Sequence, residues 1–505
     1  MLHYIFTALQ SSFRAVFVLA VVGLLTATSV RAQETDTTSI SEAVGSKKTL
    51  KLTDAIQVSL ANNSRIKRSL FDLQIADEEV TKAWSSVLPD ISSSATYTRN
   101  LEIPVNFVPA QFFDPNAPAG ELVPLQFGTD NNWQGGFSVE QTLFRGEAFV
   151  GISSSKVFKA VQAENLRATS QQIVTQARLA YYQVLVAEEQ LRLQESTVER
   201  LEKNLGENQS RLKAGLVDEY AVLQVRVQLQ NQRPQLTQAR YAVDQAYRDL
   251  KVVLGVPLDL EFSVQGDLNS FDVTADQAMN EINKNLKQVD NMTPYQFEGR
   301  KNITELATDL RGDIRVLEKQ EALKQREIKA IKSRFLPTLT ANYNLNWSAA
   351  QAGSPVLFGS EETRARSQTL GFTLSLPLFQ GFERSSDLDI AQIQMKSLEE
   401  QKRNVVRSAK NEIQSARESL NQAIETAPAR EQALELAQEG YDRAKARLEN
   451  GLGSQLDVTN AELQLREAEA NYARMVYNYL SAKAQYDQAI GMVPFVDKDQ
   501  PSLND

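Results

Sequence analysis

Arg211-Leu212-Lys213-Ala214-Gly215-Leu216 is written a second time later in the chain, as Arg447-Leu448-Glu449-Asn450-Gly451-Leu452. Each copy runs 40 residues to a further glycine, Gly255 and Gly491. Upstream, Leu143-Phe144-Arg145-Gly146 corresponds to Leu378-Phe379-Gln380-Gly381, lying 69 and 70 residues before Gly215 and Gly451. Before those, Leu88-Pro89 corresponds to Leu336-Pro337. The same landmarks in the same order predict two structural repeats, over 50–255 and 309–491. A segment at 256–308 separates them, with one amphipathic piece from Ala275 to Val289 read as a side element around the helices. A short polar tail, 492–505, follows.

Each long segment between landmarks has a seven-residue period. Val406, Ile413, Leu420, Ala427, Leu434, Tyr441 and Leu448 recur with Ala409, Ala416, Ala423, Arg430, Ala437 and Ala444 three places on. After Gly451 the register resumes as Val458, Leu465, Tyr472, Tyr479 and Tyr486, with Ala461, Ala468, Met475, Ala482 and Ala489. The first half shows Val184, Leu191, Val198, Leu205 and Leu212, then Val222, Leu229, Leu236, Val243 and Leu250. A strict heptad predicts coiled coils, and alanine lets helix axes approach closely. A helix from Ser385 to Leu448 would extend roughly 95 Å, too long for a globular domain of this size. Pro234 and Pro428 fall inside the pattern and are expected to kink or break it. Each repeat opens on a further helix: 52–88, broken near Asn62-Asn63-Ser64 with Asp54 and Ser64 as N-caps, and Asp309 to Leu336. Pro89 and Pro337 then mark helix-to-strand junctions.

Strict alternation follows each proline. Leu339, Ala341, Tyr343, Leu345, Trp347 and Ala349 share one face, and Thr340, Asn342, Asn344, Asn346 and Ser348 the other. Leu370, Phe372, Leu374, Leu376 and Leu378 alternate with polar residues beyond a loop at 351–365. The first half repeats the hairpin more loosely, with a loop at 104–130 that carries five prolines. The expected strands are about 91–103, 132–144, 338–350 and 368–379, long enough to cross an outer membrane at a tilt. A soluble sandwich is the other reading. Nearly uncharged Asn/Thr faces and tryptophans 133 and 347 near the loop ends favour the membrane. Four strands cannot close a barrel and open edges cannot face lipid, so other copies must complete the sheet. Three copies give roughly twelve strands and a pseudo-sixfold ring.

Composition excludes several alternatives. The first 32 residues place His3 and Arg14 before an apolar run, Ala15 to Leu25, and Val30-Arg31-Ala32 offers a cleavage site. Export is expected, with a mature chain starting near Gln33 and a polar, disordered stretch over 33–49. Removal leaves 52 basic against 63 acidic residues, −11, without the basic stripe of a nucleic-acid binder. The only histidine, His3, leaves too, and there is no cysteine. Imidazole and thiolate chemistry, ordinary zinc sites, disulfides and a lipidated cysteine are thereby excluded. No carboxylate pair stands out as an acid/base constellation, so no catalytic residue, metal ligand or cofactor is assigned. Arg65, Lys67 and Arg68 read as a solvated helix face, and Gly451-Leu452-Gly453 lacks the third glycine and preceding strand of a nucleotide fingerprint.

Helix, Leu-Pro, strand hairpin, Leu-Phe-x-Gly, long helix, Arg-Leu-x-x-Gly-Leu, return helix and terminal glycine, written twice over 50–491, resembles the TolC family of outer-membrane efflux channels. The resemblance implies a mixed membrane α and β fold. Long antiparallel coiled-coil helices would form an α-helical barrel in the periplasm, continuing a transmembrane β-barrel of four strands per chain in a homotrimer. It implies three partners: outer-membrane lipid, a periplasmic adaptor and an inner-membrane pump. It places an aspartate that lines the closed pore at Asp457, with a second family aspartate replaced by Asn460; Asp218 and Glu219 supply negative charge in the first-repeat turn. Adaptor docking falls on the tips, at Arg211, Leu212, Gly215, Arg447, Leu448 and Gly451. The residues themselves allow another account: Ser454 and Asp218 cap return helices, the two leucines pack the coils, and the two glycines supply left-handed C-caps. A periplasmic coiled-coil or adaptor protein without a pore is the competing function, and the cargo, small molecules or secreted polypeptides, stays open.

Overall fold

The computed structural model describes residues 49–266, 268, 303–359 and 361–495. The export segment, nearly all of the polar stretch behind it and the piece from Ala275 to Val289 lie outside these residues.

Helices α1 (Leu52–Asn62) and α2 (Ser64–Ser85) open the first half. Asn63, not Ser64, caps α2, its side chain accepting from the Arg65 N–H at 2.9 Å. Asp54 is not the N-cap of α1 either; it sits in the first turn and accepts from the Lys51 N–H at 3.3 Å. Strands β2 (Asp90–Arg99) and β5 (Asn131–Phe144) follow, with a small hairpin of β3 (Val105–Pro109) and β4 (Leu122–Gln126) between them. The long helix α3 (Gly146–Lys213) then turns into α4 (Glu219–Leu254). The second half runs through the same order: α5 (Ile303–Leu310), α6 (Gly312–Ser333), β7 (Thr338–Gln351), β8 (Arg364–Ser375), α7 (Glu383–Glu449) and α8 (Gln455–Ala489). A two-residue parallel pair unforeseen in the sequence, β1 (Thr49–Leu50) with β6 (Ser263–Val264), ties the segment just before α1 to the segment after α4.

The helix expected from Asp309 to Leu336 is two helices with Arg311 between them, the counterpart of the Asn63 break. The break lets Gly312 lie flat on α3, where an added Cβ would stand 2.6 Å from the Ala168 backbone. The prolines do not break the helices: α4 and α7 run on through Pro234 and Pro428. Both prolines are exposed, and the buried stripe continues past them through Leu229 and Ala427, so packing offsets one lost backbone bond.

The sheet order is β2-β5-β7-β8, antiparallel throughout, with β2 and β8 as free edges. Its register puts like against like across all four strands. Ser92, Ser138, Asn344 and Thr369 form one polar row, and Ile91, Val139, Tyr343 and Leu370 the next, apolar row. Two strand ends differ from the alternation. β2 stops at Arg99; the Asn100 N–H still bonds the Asp130 carbonyl at 2.8 Å, after which the chain leaves the sheet, so Leu101 and Ile103 are not strand residues. β8 begins at Arg364 and ends at Ser375, not 368–379. Arg364, Arg366 and Gln368 occupy apolar-face positions and hide the alternation, while Pro377 has no N–H to extend the ladder.

Packing is uneven along the wall. α3 lies at its centre, against α2 and α6 near the sheet and against α4 and α8 farther down. Ile56, Leu60, Ile66, Leu73, Leu166, Ile173, Val174 and Val493 form the main core where α1, α2 and α3 meet. α3 buries 24 of its 68 residues, but α7 buries only 7 of 67, leaving its far side bare.

Candidate functional site at the helix turns

Both long helices end in the same closure. The Leu216 N–H bonds the Arg211 carbonyl at 2.9 Å and the Gly215 N–H the Leu212 carbonyl at 3.0 Å. In the second half the Leu452 N–H bonds the Arg447 carbonyl at 2.8 Å and the Gly451 N–H the Leu448 carbonyl at 3.1 Å. This paired pattern needs a left-handed residue, and Gly215 and Gly451 supply it at φ 72° and 71°. Gly255 and Gly491 end the return helices in the same way, at φ 69° and 77°. These last two also touch the helix breaks: a Cβ would stand 2.6 Å from the Asn62 carbonyl oxygen in one case and 2.8 Å from the Arg311 nitrogen in the other. The break residues answer in kind. Asn63 Nδ2 donates to the Val253 carbonyl at 2.8 Å, and Arg311 to the Ala489 carbonyl at 3.2 Å.

Each return helix starts on a side-chain cap that involves an aspartate. Asp218 caps α4, accepting from the Ala221 N–H at 2.9 Å, and Glu219 is the exposed residue beside it. Ser454 caps α8 reciprocally: its Oγ accepts from the Asp457 N–H at 3.2 Å, while Asp457 accepts from the Ser454 N–H at 2.9 Å and Oγ–H at 2.8 Å. Those two donations, with Arg447 nearby, hold the fully exposed Asp457 carboxyl below its ordinary range. Asn460 is exposed one turn on. The acidic candidates therefore sit at the turns, but Asp218 and Glu219 belong to one turn and Asp457 and Asn460 to the other.

The docking candidates divide. Leu212 and Leu448 are half-buried on the heptad stripe, whereas the apolar side chains that project are the next leucines, Leu216 and Leu452, 74% and 73% exposed. The quoted motif contained both; their exposure follows only from the turn, which throws the residue after the glycine outward. Arg211 and Glu449 come together across a cleft of about 530 Å³ shared with Lys203, Gly206, Glu207 and Ser210.

Above the turns lies a polar layer that no motif announced. Buried Asn208 donates to Gln455 at 3.0 Å, linking the end of α3 to the start of α8. Arg200 bridges Glu462 at 3.6 Å and Glu469 at 3.4 Å, and Arg466 donates to Gln232 on α4 at 2.7 Å, with Gln232 bonded to Gln194. Burial pushes the Glu462 carboxyl up, against the pull of Arg200 and Arg466. A polar layer in a coil fixes register at a cost in stability. Among the described residues no group of His, Asp or Glu is gathered to hold a metal ion.

A sheet mostly apolar over one face, joined to two pairs of long antiparallel helices, is an architecture shared with solved outer-membrane channels. More narrowly, the model of the family described as outer membrane efflux protein matches residues 55–256 and 304–492, and the chain belongs to that family. Among similar proteins, outer membrane protein TolC of Salmonella enteritidis is 23% identical over 455 residues, covering 90% of this chain and 84% of that protein. The alkaline protease secretion protein AprF of Pseudomonas aeruginosa is 23% identical over 370 residues, 73% of this chain and 71% of that protein. The crystal structure of the Campylobacter jejuni CmeC outer membrane channel superposes with a TM-score of 0.67 at 18% identity, covering 88% of this chain and 86% of that one. The protein is an outer-membrane channel of the efflux and secretion type, with its helical part in the periplasm. Nothing in these similarities supports the pore-less alternative.

Proposed function

We propose that three copies close edge to edge into one duct, β8 of each chain pairing with β2 of the next, so that the two halves of every chain act as structural repeats around a pseudo-sixfold axis. The observation that carries this is the sheet: among the described residues both edges are unpaired, and one face is mostly apolar, with its arginines confined to the loop end. Such edges are unstable in lipid until paired. The bare side of α7 agrees, since among the described residues nothing of its own chain covers it.

In this duct the polar face lines the lumen and the turns at Gly215 and Gly451 form the periplasmic tip. The leucines 216 and 452 offer a periplasmic adaptor paired apolar contacts, flanked by Arg211, Arg447 and the half-buried Leu212 and Leu448. The layer of Arg200, Glu462, Glu469, Arg466 and Gln232 holds the return helices closed until an adaptor and an inner-membrane pump engage. Asp457 attracts cations to the entrance while Ser454 anchors it. Cargo, small molecules or secreted polypeptides, is selected by the pump. Mass photometry of the detergent-solubilised protein tests the assembly: it should weigh three chains of 56.4 kDa plus detergent, less any cleaved export segment. A monomer alone would overturn the reading.

A further inference from the structure

The four-stranded sheet contains five charged residues, sorted by face and by end. Asp90 and Glu140 lie opposite each other on the polar face, at the end nearest the helices. Arg99, Arg364 and Arg366 all lie on the apolar face, at the loop end. The pairing fixes these faces: Arg366 stands opposite Trp347 and Arg364 opposite Ala349, while Arg99 follows Tyr97, which stands opposite Trp133. All three arginines are exposed, and none is ion-paired with a carboxylate among the described residues. Arg364 donates to the Phe358 and Gly359 carbonyls at 2.8 and 3.1 Å, which fixes its guanidinium without neutralising it.

Arg99 ends one edge strand, and Arg364 and Arg366 begin the other. Within a chain they are separated by β5 and β7; closure of the ring brings them side by side. We propose that each seam is a binding site for the phosphate of an anionic lipid headgroup in the outer leaflet, held by Arg99 of one copy and Arg364 and Arg366 of the next. The inference rests on the trimeric reading above.

Three physical points support it. Arginine on a lipid-facing strand costs about 2–4 kcal/mol at the bilayer midplane and little near its surface, so arginines confined to one end mark headgroup depth. Tyr97, Trp133 and Trp347 lie at the same end, as an interfacial belt does. The planar guanidinium fork matches phosphate oxygens, and two or three such forks bind one phosphate better than any neutral headgroup. The competing occupant is the acidic loop of the adjacent copy: residues 100–130 carry Glu102, Asp114, Glu121 and Asp130 and no Lys or Arg. That loop leaves from the end of the sheet, whereas the arginines project from its outer face, where lipid must lie.

The test is native mass spectrometry of the wild-type trimer and of Arg99→Gln/Arg366→Gln, which leaves the loop-bound Arg364 intact. The probes are bis-phosphorylated lipid A, phosphatidylcholine and an excess of inorganic phosphate. Wild type should retain lipid A in preference to phosphatidylcholine, the double variant should bind it about thirtyfold more weakly, and phosphate should not displace it. Equal retention by the variant, no preference for lipid A, or displacement by phosphate would overturn the proposal. So would tighter lipid A binding by Glu102→Gln/Glu121→Gln, which would show the arginines held by the neighbouring loop. Failure to assemble would sink the trimeric reading as well; a trimer that conducts but retains no lipid A sinks this inference alone.

Discussion

Gly491 and Gly451 share a left-handed backbone but sit in different surroundings, and substitution should separate the two effects. A Cβ at Gly451 meets nothing within 4 Å, so Gly451→Ala should cost only backbone strain, about 1 kcal/mol. Gly491→Ala adds contact with the Arg311 and Leu310 backbone and should cost about 2–3 kcal/mol, read as a larger drop in thermal midpoint. Both glycines were legible in the sequence as ends of the repeat. The contact at Gly491 was not, because its carbonyl accepts from Gln171, 320 residues away; nor was the Asn63–Val253 bond, across 190 residues. At Asp457, charge and cap can be separated in the same way. Ser454→Ala removes the cap, about 1 kcal/mol of helix stability, and keeps the charge. Asp457→Asn removes the charge. Cation preference measured by reversal potential should fall with Asp457→Asn and stay with Ser454→Ala; the opposite pattern would make Asp457 a capping residue only. Because the folded-state carboxyl is depressed, its contribution to the cap is complete above the ordinary carboxylate range and is lost as pH falls through the depressed value. The cap should therefore weaken only in strong acid.

Heptad spacing identified one face of each long helix, and the structure follows it: from Val406 to Leu448 every position in the stripe except Arg430 is buried or half-buried. For α8 the period showed half of the story. That helix lies between α7 and α3, so it also buries Glu462, Ala473, Val476, Leu480, Lys483, Ala484 and Asp487. The second face carries a buried ionic triad, with Asp487 bridging Arg178 at 2.9 Å and Lys483 at 2.5 Å. Two cations share one carboxylate, which fixes the sign of the next prediction. Asp487→Asn strands both cations and should cost about 3–5 kcal/mol, whereas Arg178→Met leaves a matched Lys483–Asp487 pair and should cost clearly less, both by denaturant unfolding. Equal costs would mean the three do not act as a unit. Local propensity favours a break at Pro234 and Pro428, and none occurs, because a packed stripe supports the helix on either side. The start of β8 was misjudged because arginines stand where alternation expects apolar residues.

Over the whole molecule, one chain is an incomplete object. The repeat, the strand hairpins and the long helices could be read from the sequence because each is a local periodicity. The proposed closure could not, since it would depend on surfaces that meet only between copies: the edges of β2 and β8 and the exposed side of α7. The proposed lumen, gate and lipid seam all rest on that closure. Purified wild-type protein reconstituted in a planar lipid bilayer therefore tests the account most directly. It predicts discrete single-channel steps from a trimer, cation-preferring and largely closed without its partners. A folded protein that inserts but never conducts, or that conducts only as a monomer, would contradict it.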